Sequence, residues 1–513
     1  MAIPSEKLAQ SLDVLRQLQE SKNSPVIRSS EISRTHYERL VKNGFLMKVV
    51  GGWYIQSDPA AVSGDTTAWY ISYWRFISEY IREKLGEEWC LPAEVSLDVQ
   101  TGNWTVLPQL TIRSPRCNNT SLSLPFGCSI FFLKADCATN VVKESRYALN
   151  VYSLPEALVM SSPILFQRSS ITARTALAAI RDSSEVLPYL LDKGRSSRAG
   201  RLIGAFRNVN MLPIADEIKS TMVRFGYVIR EEDPFSDKYE FVRDLSPYAT
   251  RIRLMWKSMR DAVLAVKPSV PAGINIEAYM KDVEDRYKID AYHSLSIEGY
   301  KVSEELIEKV RSGNWKPDEN ASDKEDKAAL AARGYWQAFQ EVKKSLLSVL
   351  DGKNAGEVVE KDHRVWYQEM FAPSVMAGII KAGDIVGYRT AQVYIRNSMH
   401  TPLNPEAVRD AMPVLFDLLK SEEDAWVRAV LGHFIFTFIH PYMDGNGRMG
   451  RFMMNVMLAS EGYRWTIIQK EMRDKYMSAL ERASVQGDIN DFASLLAGIE
   501  GTEKVLGYSV IIQ

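Results

Sequence analysis

The sequence predicts a multidomain, mainly α-helical protein with a small helix-turn-helix domain over residues 1–65, a mixed α/β domain over 66–266 and a helical domain over 274–513. Three observations lead to this prediction. A chain of 513 residues is too long for a single core. The stretch VKPSVPAG, residues 266–273, has the proline and glycine density of a linker. Beyond it the sequence is strongly helical, apart from a hairpin-like segment over residues 382–397.

The composition is that of an ordinary globular protein. The chain is 46% apolar and 25% charged, and its net charge of −1 argues against a polyanion-binding surface along its whole length. No segment reaches the roughly eighteen uninterrupted apolar residues of a membrane span, and the N-terminus lacks the pattern of a secretory signal. We therefore expect a cytoplasmic protein without a membrane partner. The four cysteines, none in C-x-x-C spacing, predict reduced and mostly buried thiols.

The first 65 residues show the element order of a winged helix. We predict a helix over residues 5–21, a short helix capped by Ser29 or Ser30, a second helix over 34–43, and two strands joined by a turn at Gly51-Gly52. In a winged helix the second helix of the pair enters the major groove of DNA. The side chains expected to face the groove are Arg34, His36, Arg39 and Lys42.

DNA is thus a predicted partner of the N-terminal domain. Glu31 and Glu38 dilute its positive charge, however, and winged helices also serve as protein-interaction modules, so both alternatives stay open. In the middle domain, Arg195, Arg198 and Arg201 have a spacing that suits phosphates, although a solvated face is the simpler explanation.

The first two domains together resemble the AbiEi-type antitoxin regulators. The resemblance rests on the order of the elements and on the stretch SLPEAL…SSITARTALAAI between residues 153 and 180. It implies a regulatory region at the N-terminal side of the chain. A DNA-binding regulator or antitoxin is therefore an alternative function to an enzyme.

The stretch with the most candidate functional side chains is FIHPYMDGNGRMGR, residues 438–451. A capping-box spacing, Ser421 with Asp424, predicts the start of the apolar helix that precedes it, and a new helix is predicted to begin near Asn446. The tripeptide Gly-Asn-Gly at 445–447 would then lie at a helix N-terminus. Backbone N–H groups and the positive end of the helix dipole bind anions there, and glycines let a ligand approach closely.

The side chains around this tripeptide suit nucleotide phosphates. Arg448 and Arg451 are three residues apart, so both point to one side of the helix and can hold a polyphosphate. Asp444 supplies a carboxylate oxygen of the kind that Mg²⁺ prefers. His440 can accept a proton from an attacking hydroxyl near neutral pH. No serine or cysteine stands beside it, which favours direct in-line transfer over a covalent intermediate.

A zinc site is the competing interpretation of the same region. His433 and His440 are seven residues apart on one face of a helix, and Asp444 follows them. Two helical turns separate such imidazoles by about 10 Å, which is too far for one ion. We therefore expect His433 to form a hydrogen bond within the core.

Residues 440–451, HPYMDGNGRMGR, resemble the Fic motif, H-P-F-x-[D/E]-G-N-G-R-x-x-R, with Tyr442 as the departure. The resemblance implies an all-α Fic fold with a β-hairpin flap, and transfer of AMP from ATP to a Ser, Thr or Tyr hydroxyl of a target protein, which can be the chain itself. It implies His440 as the base and Asp444 as the Mg²⁺ ligand. The nucleotide-binding residues that it implies are Gly445, Asn446, Gly447, Arg448 and Arg451.

Other activities of the same scaffold stay open. It could move another phosphate-linked group, such as UMP or phosphocholine, or chiefly remove AMP from a modified target. The sequence does not decide whether the chain forms a homo-oligomer.

The stretch SLSIEGY, residues 294–300, resembles the inhibitory motif of this family, [S/T]-x-x-x-E-[G/N], with Ser294, Glu298 and Gly299 in register. A carboxylate placed against Arg451 would form an ion pair and fill the space of the γ-phosphate. We therefore predict a Glu298–Arg451 pair that restrains the enzyme. An ordinary surface glutamate is the alternative.

The segment IVGYRTAQVYI, residues 385–395, is short, partly alternating and isolated among helices. Through the resemblance we interpret it as a flap that binds an extended segment of the target by β-augmentation. A hairpin that only covers the core is the alternative. The flap residues expected to meet the target are Ile385, Gly387, Tyr388, Val393 and Ile395.

Overall fold

The computed structural model describes residues 4–61, 64–237, 246–271, 273, 275–314 and 327–505. The chain forms two compact units. Unit 1 comprises Met1–Arg251 with Tyr394–Thr401, and unit 2 comprises Ile252–Val393 with Pro402–Gln513. The chain is mainly helical, as predicted. The finer division into three domains stays a prediction.

Unit 1 combines helices with three small sheets. Its helices are α1 (Pro4–Lys22), α2 (Arg34–Lys42), α3 (Thr67–Leu85), α4 (Ala93–Gln100), α5 (Leu154–Met160), α6 (Pro163–Arg168), α7 (Ser170–Ala179), α8 (Leu187–Leu191), α9 (Ser196–Asn208) and α10 (Leu212–Arg224). Its strands are β1 (Val26–Arg28), β2 (Leu46–Val50), β3 (Trp53–Gln56), β4 (Gln109–Ser114), β5 (Thr120–Ser123), β6 (Ser129–Lys134), β7 (Val141–Lys143) and β8 (Asn150–Tyr152).

The N-terminal part of unit 1 packs α1 and α2 on an antiparallel sheet with strand order β1-β3-β2. The predicted turn between β2 and β3 is present, and Gly52 adopts a φ of 80° there. The predicted short helix at Ser29 or Ser30 is wrong, because residues 29–31 form a turn. The backbone N–H of Arg28 donates to the Glu31 carboxylate at 2.9 Å, and this local bond competes with helix formation. The winged-helix assignment stays a prediction.

Two of the four predicted groove-facing side chains do not face outward. Arg39 donates from Nη1 to the carbonyl of Lys7 at 2.8 Å and to Oγ of Ser11 at 2.7 Å. Nδ1 of His36 lies 2.9 Å from the same Ser11 hydroxyl. The prediction is therefore wrong for His36 and Arg39, because α1 packs against this side of α2 and binds them. Arg34 and Lys42 are exposed.

The rest of unit 1 has two apolar cores. One packs α3 with the sheet of order β4-β6-β5, and the other gathers helices between α4 and α10. Arg198 donates to the carbonyl of Val159 at 3.3 Å and Arg201 to that of Ser161 at 2.8 Å, so both bind the C-terminal end of α5. Their spacing therefore reflects packing. The four cysteines are free thiols, three of them buried.

Unit 1 also contains the segment 394–401, which is remote in sequence. The Arg396 guanidinium lies 2.9 Å from the Asp65 carboxylate, and the backbone N–H of Thr66 donates to Oδ1 of Asn397 at 3.0 Å. Met399 accepts a backbone hydrogen bond from Val106 at 3.0 Å. These contacts make the segment an integral part of unit 1.

Unit 2 is built from helices. They are α11 (Pro247–Ala265, which begins in unit 1), α12 (Ile276–Ile297), α13 (Glu304–Arg311), α14 (Lys327–Leu350), α15 (Ala355–Met376), α16 (Pro405–Ser421), α17 (Ala425–Ile439), α18 (Asn446–Ala459), α19 (Arg473–Gln486) and α20 (Asn490–Val505). Helix α17 is apolar on nearly every side and lies buried in the centre of the unit. Helix α18 packs on α14, α15 and α17.

Two sequence predictions in unit 2 are wrong. The helix α17 does not begin at Ser421, which is the last residue of α16; instead Asp424 caps α17 by accepting from the Val427 N–H at 3.0 Å. Residues 382–397, all described, form no hairpin and contain only a short 3-10 turn at Ala382–Ile385. The backbone of this segment binds loops rather than a partner strand, since the Arg389 N–H donates to the Pro441 carbonyl at 2.9 Å.

In the part of the chain that the structure describes, no helix combines the length and the apolar character needed to cross a membrane.

Candidate active site

The loop 440–445 of unit 2 connects the end of α17 to the start of α18. His440 ends α17 in a left-handed conformation with a φ of 55°, and Gly445 precedes α18 with a φ of 81°. Asn446 closes the loop, because its side-chain amide accepts from the backbone N–H of Tyr442 and donates to the Tyr442 carbonyl, both at 2.9 Å. The predicted helix start near Asn446 is confirmed.

The imidazole of His440 has the protonation state of a base. Its Nδ1 lies 3.1 Å from the Thr437 carbonyl, which can only accept, so Nδ1 carries the proton and Nε2 carries the lone pair. Burial lowers the pKa of His440 to about 4, against the opposing effect of the Thr437 carbonyl and with the help of the Arg389 charge. The ring is therefore neutral at neutral pH and Nε2 can accept a proton.

The two glycines at the first turn of α18 lie against close neighbours. Gly445 lies against the ring of Phe371, where a Cβ would come within 2.9 Å of Cε2. Gly447 faces the carboxylate of Glu298, and a Cβ at this position would lie 2.3 Å from Oε1. The absence of side chains at both glycines is therefore required by close neighbours, and at Gly447 the neighbour is itself an anion.

Arg451 is almost fully buried and binds Ser294 and Glu298 at the end of α12. Its Nε donates to Oγ of Ser294 at 2.9 Å, and its Nη2 donates to the Ser294 carbonyl at 3.0 Å and to Oε1 of Glu298 at 2.7 Å. The predicted ion pair is thus present. Gly299 directly follows Glu298 and has a φ of 90°, so the chain changes direction there.

The charge state of Glu298 follows from these neighbours. Burial by itself would raise the pKa of Glu298, but the positive charges of Arg451 and Arg448 outweigh this effect and hold the pKa below its usual value. Glu298 is therefore ionised at neutral pH. Burial by itself would lower the pKa of Arg451, but the Glu298 charge outweighs this effect and the pKa of Arg451 is raised.

Arg448 is also buried, at 1% exposure, and lies between two aromatic rings. Its guanidinium carbon is 5.3 Å from the ring centre of Tyr300 and 5.1 Å from that of Phe371. Its Nη2 donates to Oδ2 of Asp444 at 3.2 Å. These contacts fix the position of the guanidinium beside the start of α18.

The donor set at Asp444 suits Mg²⁺ that is shared with a nucleotide. The Asp444 side chain is 62% exposed and points away from the core. Among the described residues, no three His, Cys, Asp or Glu side chains are grouped to hold a metal by themselves. One exposed carboxylate fits Mg²⁺, because this ion is commonly held by one or two carboxylates, waters and substrate phosphates.

His433 lies in the core, as predicted. Its Nε2 is 2.8 Å from the Tyr476 hydroxyl, and its ring stacks on Phe492 with 5.2 Å between the ring centres. Burial lowers the pKa of His433 to about 4. The ring is therefore a neutral packing group.

The predicted flap residues are only partly brought together. Val393 is buried, Tyr388 is held by His363 with 3.1 Å between the hydroxyl and Nε2, and Gly387 is exposed. Ile385 is half-buried at the end of the 3-10 turn, whereas Ile395 belongs to unit 1. The segment 385–393 thus has exposed residues between anchored side chains.

Three side chains near the site were missed in the sequence. Tyr300 directly follows the inhibitory motif, Arg389 is the charged residue of the segment 385–395, and Asp290 lies four residues before Ser294 on the same helical face. Asp290 is buried and accepts a hydrogen bond from the Tyr335 hydroxyl at 2.6 Å. The spacing of four from Asp290 through Ser294 to Glu298 was the signal available for it.

Comparison with known proteins agrees with this geometry. The profile of the Fic/DOC family matches residues 359–458. The protein adenylyltransferase Fic of Drosophila willistoni is 37% identical over 123 residues, which cover 23% of this chain and 24% of the relative. The protein adenylyltransferase fic-1 of Caenorhabditis elegans is 27% identical over 226 residues, which cover 43% of this chain and 41% of the relative.

A solved structure of C. elegans Fic-1 is 19% identical, with a TM-score of 0.36, and covers 69% of this chain and 90% of the solved chain. The chain spans less than half of the length of the curated relatives it matches. The profile match includes the base, the loop and both arginines of the site. The chain therefore carries a Fic domain of the Fic/DOC family at residues 359–458.

Proposed function

We propose that the protein is an adenylyltransferase that transfers AMP from ATP to a Ser, Thr or Tyr hydroxyl of a target protein. The observation that carries the proposal is the single loop between α17 and α18, which places a neutral imidazole, two glycines at a helix N-terminus and two buried arginines together. The relatives named protein adenylyltransferase support the choice of the transferred group.

In the proposed reaction, Nε2 of His440 takes the proton of the target hydroxyl as its oxygen attacks the α-phosphorus of ATP. The bond between the α-phosphorus and its bridging oxygen breaks on the opposite side, and pyrophosphate leaves. The N–H groups at the start of α18, together with Arg448 and Arg451, stabilise the phosphates. Mg²⁺ at Asp444 would neutralise part of their charge.

We further propose that Glu298 restrains this reaction. Its carboxylate lies above Gly447 and occupies one of the faces through which a phosphate would reach the first turn of α18. It also holds Arg451 at 2.7 Å, so the arginine cannot give the same donors to a phosphate. Removal of Glu298 from this position is then the activating step.

The segment 385–393 is proposed to align the target. Arg389 and Val393 are buried and fix the segment, while Thr390 and Ala391 between them are exposed residues. The Ala391 carbonyl accepts from Arg389. An extended target segment can bind the backbone of exposed residues without a preformed strand. A DNA contact of the N-terminal domain stays a prediction and would depend on Arg34 and Lys42.

The test of the proposed function uses the full-length chain with Glu298→Gly, Glu298→Gln and the double variant Glu298→Gly/His440→Ala. With ATP labelled at the α-phosphate, the Glu298 variants should incorporate label into the chain or a lysate protein at least about tenfold faster than the unmodified chain. Label at the γ-phosphate should not be incorporated. Mass spectrometry then identifies the group, the target and the residue.

Glu277→Gln is the matched control, since Glu277 is an exposed glutamate at the other end of α12. It should leave incorporation at the level of the unmodified chain. Incorporation that survives His440→Ala, or the transfer of a group other than AMP, would contradict the proposal.

A further inference from the structure

A buried arginine of the flap segment contacts the backbone around the base. Arg389 is 3% exposed, and its backbone N–H donates to the Pro441 carbonyl at 2.9 Å. Its Nε donates to the His440 carbonyl at 2.7 Å, and its Nη2 reaches the Ile439 carbonyl at 3.5 Å. One residue thus binds three consecutive carbonyl groups, on both sides of the His440 α-carbon.

The other contacts of Arg389 fix its own position. Nη1 donates to the Ala391 carbonyl at 3.1 Å, and Nη2 donates to the Leu403 carbonyl. The planar guanidinium is therefore held from several directions, which a lysine ammonium does not reproduce. The site also suits a cation, because the last carbonyl groups of α17 carry the negative end of the helix dipole.

The backbone of His440 needs such support. A left-handed conformation at a residue other than glycine is strained and persists where its surroundings enforce it. The φ of 55° and ψ of 61° determine the direction of the Cα–Cβ bond, and the Thr437 carbonyl then determines the rotation of the ring. Together these two constraints set the direction in which Nε2 points.

We propose that Arg389 is a positioning residue for the transfer reaction, which holds the carbonyls of Ile439, His440 and Pro441 and thereby aims Nε2 of His440 at the target hydroxyl. The proposal rests on the proposed function of His440 as the base. It also connects the base to the segment that is proposed to bind the target, because Arg389 belongs to that segment.

The charge of Arg389 has a second effect on the base. The charged groups that act on the imidazole are Arg389 from the flap segment, Glu298 from the end of α12 and Asp444 from the loop. Arg389 lowers the pKa of His440, whereas both carboxylates raise it. Loss of the arginine charge should therefore raise the pKa and move the acidic limb of the rate profile to higher pH.

The test compares Arg389→Met and Arg389→Lys in the full-length Glu298→Gly chain. We expect Arg389→Met to lower kcat by about 100-fold while the KM for ATP changes by less than about threefold. Arg389→Lys keeps the charge but loses the fork of donors, so it should keep the acidic limb in place and recover only part of kcat.

The matched control is Arg428→Met. Arg428 lies on α17 and also donates to backbone carbonyls, those of Glu422 and Glu423, but at the end of the helix remote from His440. Its loss should leave kcat within about threefold of the parent. Equal losses of kcat in the Arg389→Met and Arg428→Met variants, with both folded, would overturn the proposal.

A readout that needs no turnover separates this proposal from the proposed function. The chain has six histidines, so ¹³C-labelled histidine gives few ring signals, and His440→Ala assigns the relevant one. Arg389→Met should shift the His440 signal and move its titration midpoint upward, whereas Arg428→Met should not. An inactive parent with this shift refutes the proposed function alone; an unchanged signal and midpoint refute the role of Arg389.

Discussion

At the scale of single residues, the site depends on groups that are close enough to exclude one another. Gly447 lacks the Cβ that would lie 2.3 Å from the Glu298 carboxylate, and Glu298 in turn lies 2.7 Å from Nη2 of Arg451. A phosphate and this carboxylate would use the same donors, so they compete for one place. In the proposed restrained state, an internal anion therefore takes the place of the substrate anion.

This substitution predicts how the restraint responds to pH. The folded-state pKa of Glu298 is lowered, so its stabilising pair with Arg451 is complete above the ordinary glutamate pKa of about 4.3 and is lost as pH falls through the lower folded value. The ratio of Glu298→Gln activity to that of the unmodified chain should stay constant from about pH 8 to pH 5. Radiolabel incorporation across this range checks it.

Glu277→Gln again serves as the control, because Glu277 is exposed and has no part in the site. A ratio that falls steadily below pH 7 would mean that Glu298 becomes protonated in the folded chain, contrary to the observed pairing. The titration of His440 does not disturb this range, because its pKa of about 4 lies below pH 5 and Glu298→Gln removes a carboxylate that raises it.

At the scale of elements, helix α12 and its C-terminal cap carry three polar side chains on one face. Asp290, Ser294 and Glu298 follow at intervals of four residues, which brings them to the same side of the helix. The Tyr335 hydroxyl on α14 donates to Asp290, and Arg451 on α18 donates to Ser294 and Glu298. These hydrogen bonds hold α12 in its middle as well as at its C-terminal end.

Loss of the hydrogen bond from Tyr335 to Asp290 should destabilise the whole of helix α12. Tyr335→Phe leaves a buried carboxylate without its hydroxyl donor, which costs about 1 to 3 kcal/mol. Burial already raises the pKa of Asp290 to about 6, so its charged form is poorly compensated. Amide hydrogen exchange should show faster opening of α12 in this variant, by a factor that corresponds to that free energy.

Tyr292→Phe is the matched control on α12. Tyr292 is half-buried and its hydroxyl accepts from Lys470 at the edge of the unit, so its loss should change exchange within α12 by less than about 0.5 kcal/mol. Equal protection of α12 in the Tyr335→Phe and the unmodified chains would show that Asp290 does not hold the helix.

At the scale of the whole molecule, unit 1 includes a segment that is remote in sequence from the rest of the unit. Segment 394–401 is fixed by Asp65, Thr66 and Val106, although it follows directly on the flap segment 385–393 of the Fic domain. The C-terminal end of the flap segment therefore has a defined position: Val393 is buried, and residues that follow it are bound.

The ion pair between Asp65 and Arg396 should protect the chain from proteolysis. Asp65 is largely buried beside an arginine that is itself 61% exposed, so trypsin can reach Arg396 once the segment opens. Asp65→Ala removes a charged partner worth about 1 to 3 kcal/mol, and cleavage after Arg396 should become at least about fivefold faster. Asp58→Ala, an exposed aspartate nearby in the sequence, should leave the cleavage rate unchanged.

The sequence was most informative where function restricts it. The motif at 440–451 predicted the start of α18, and the match of Ser294 and Glu298 predicted the pair with Arg451, because both depend on fixed spacing. The hairpin prediction failed because the alternating pattern of this segment suits a strand, while the structure binds Arg389 to carbonyl groups of a distant loop. His36 and Arg39 failed for a similar reason: a helical face does not reveal which neighbour covers it.

The long-range closure of unit 1 constrains how the protein is made. Thr66 and Asn397 are separated by 331 positions, so a ribosome must produce the chain through residue 401, which includes the first part of the Fic domain, before unit 1 can obtain its last segment. Until then, the nascent N-terminal part would lack the partners of Asp65 and Thr66. Neither unit corresponds to one uninterrupted stretch of the gene. A cut between residues 251 and 252 leaves unit 1 without segment 394–401. The second fragment then carries this segment without the residues of unit 1 that bind it.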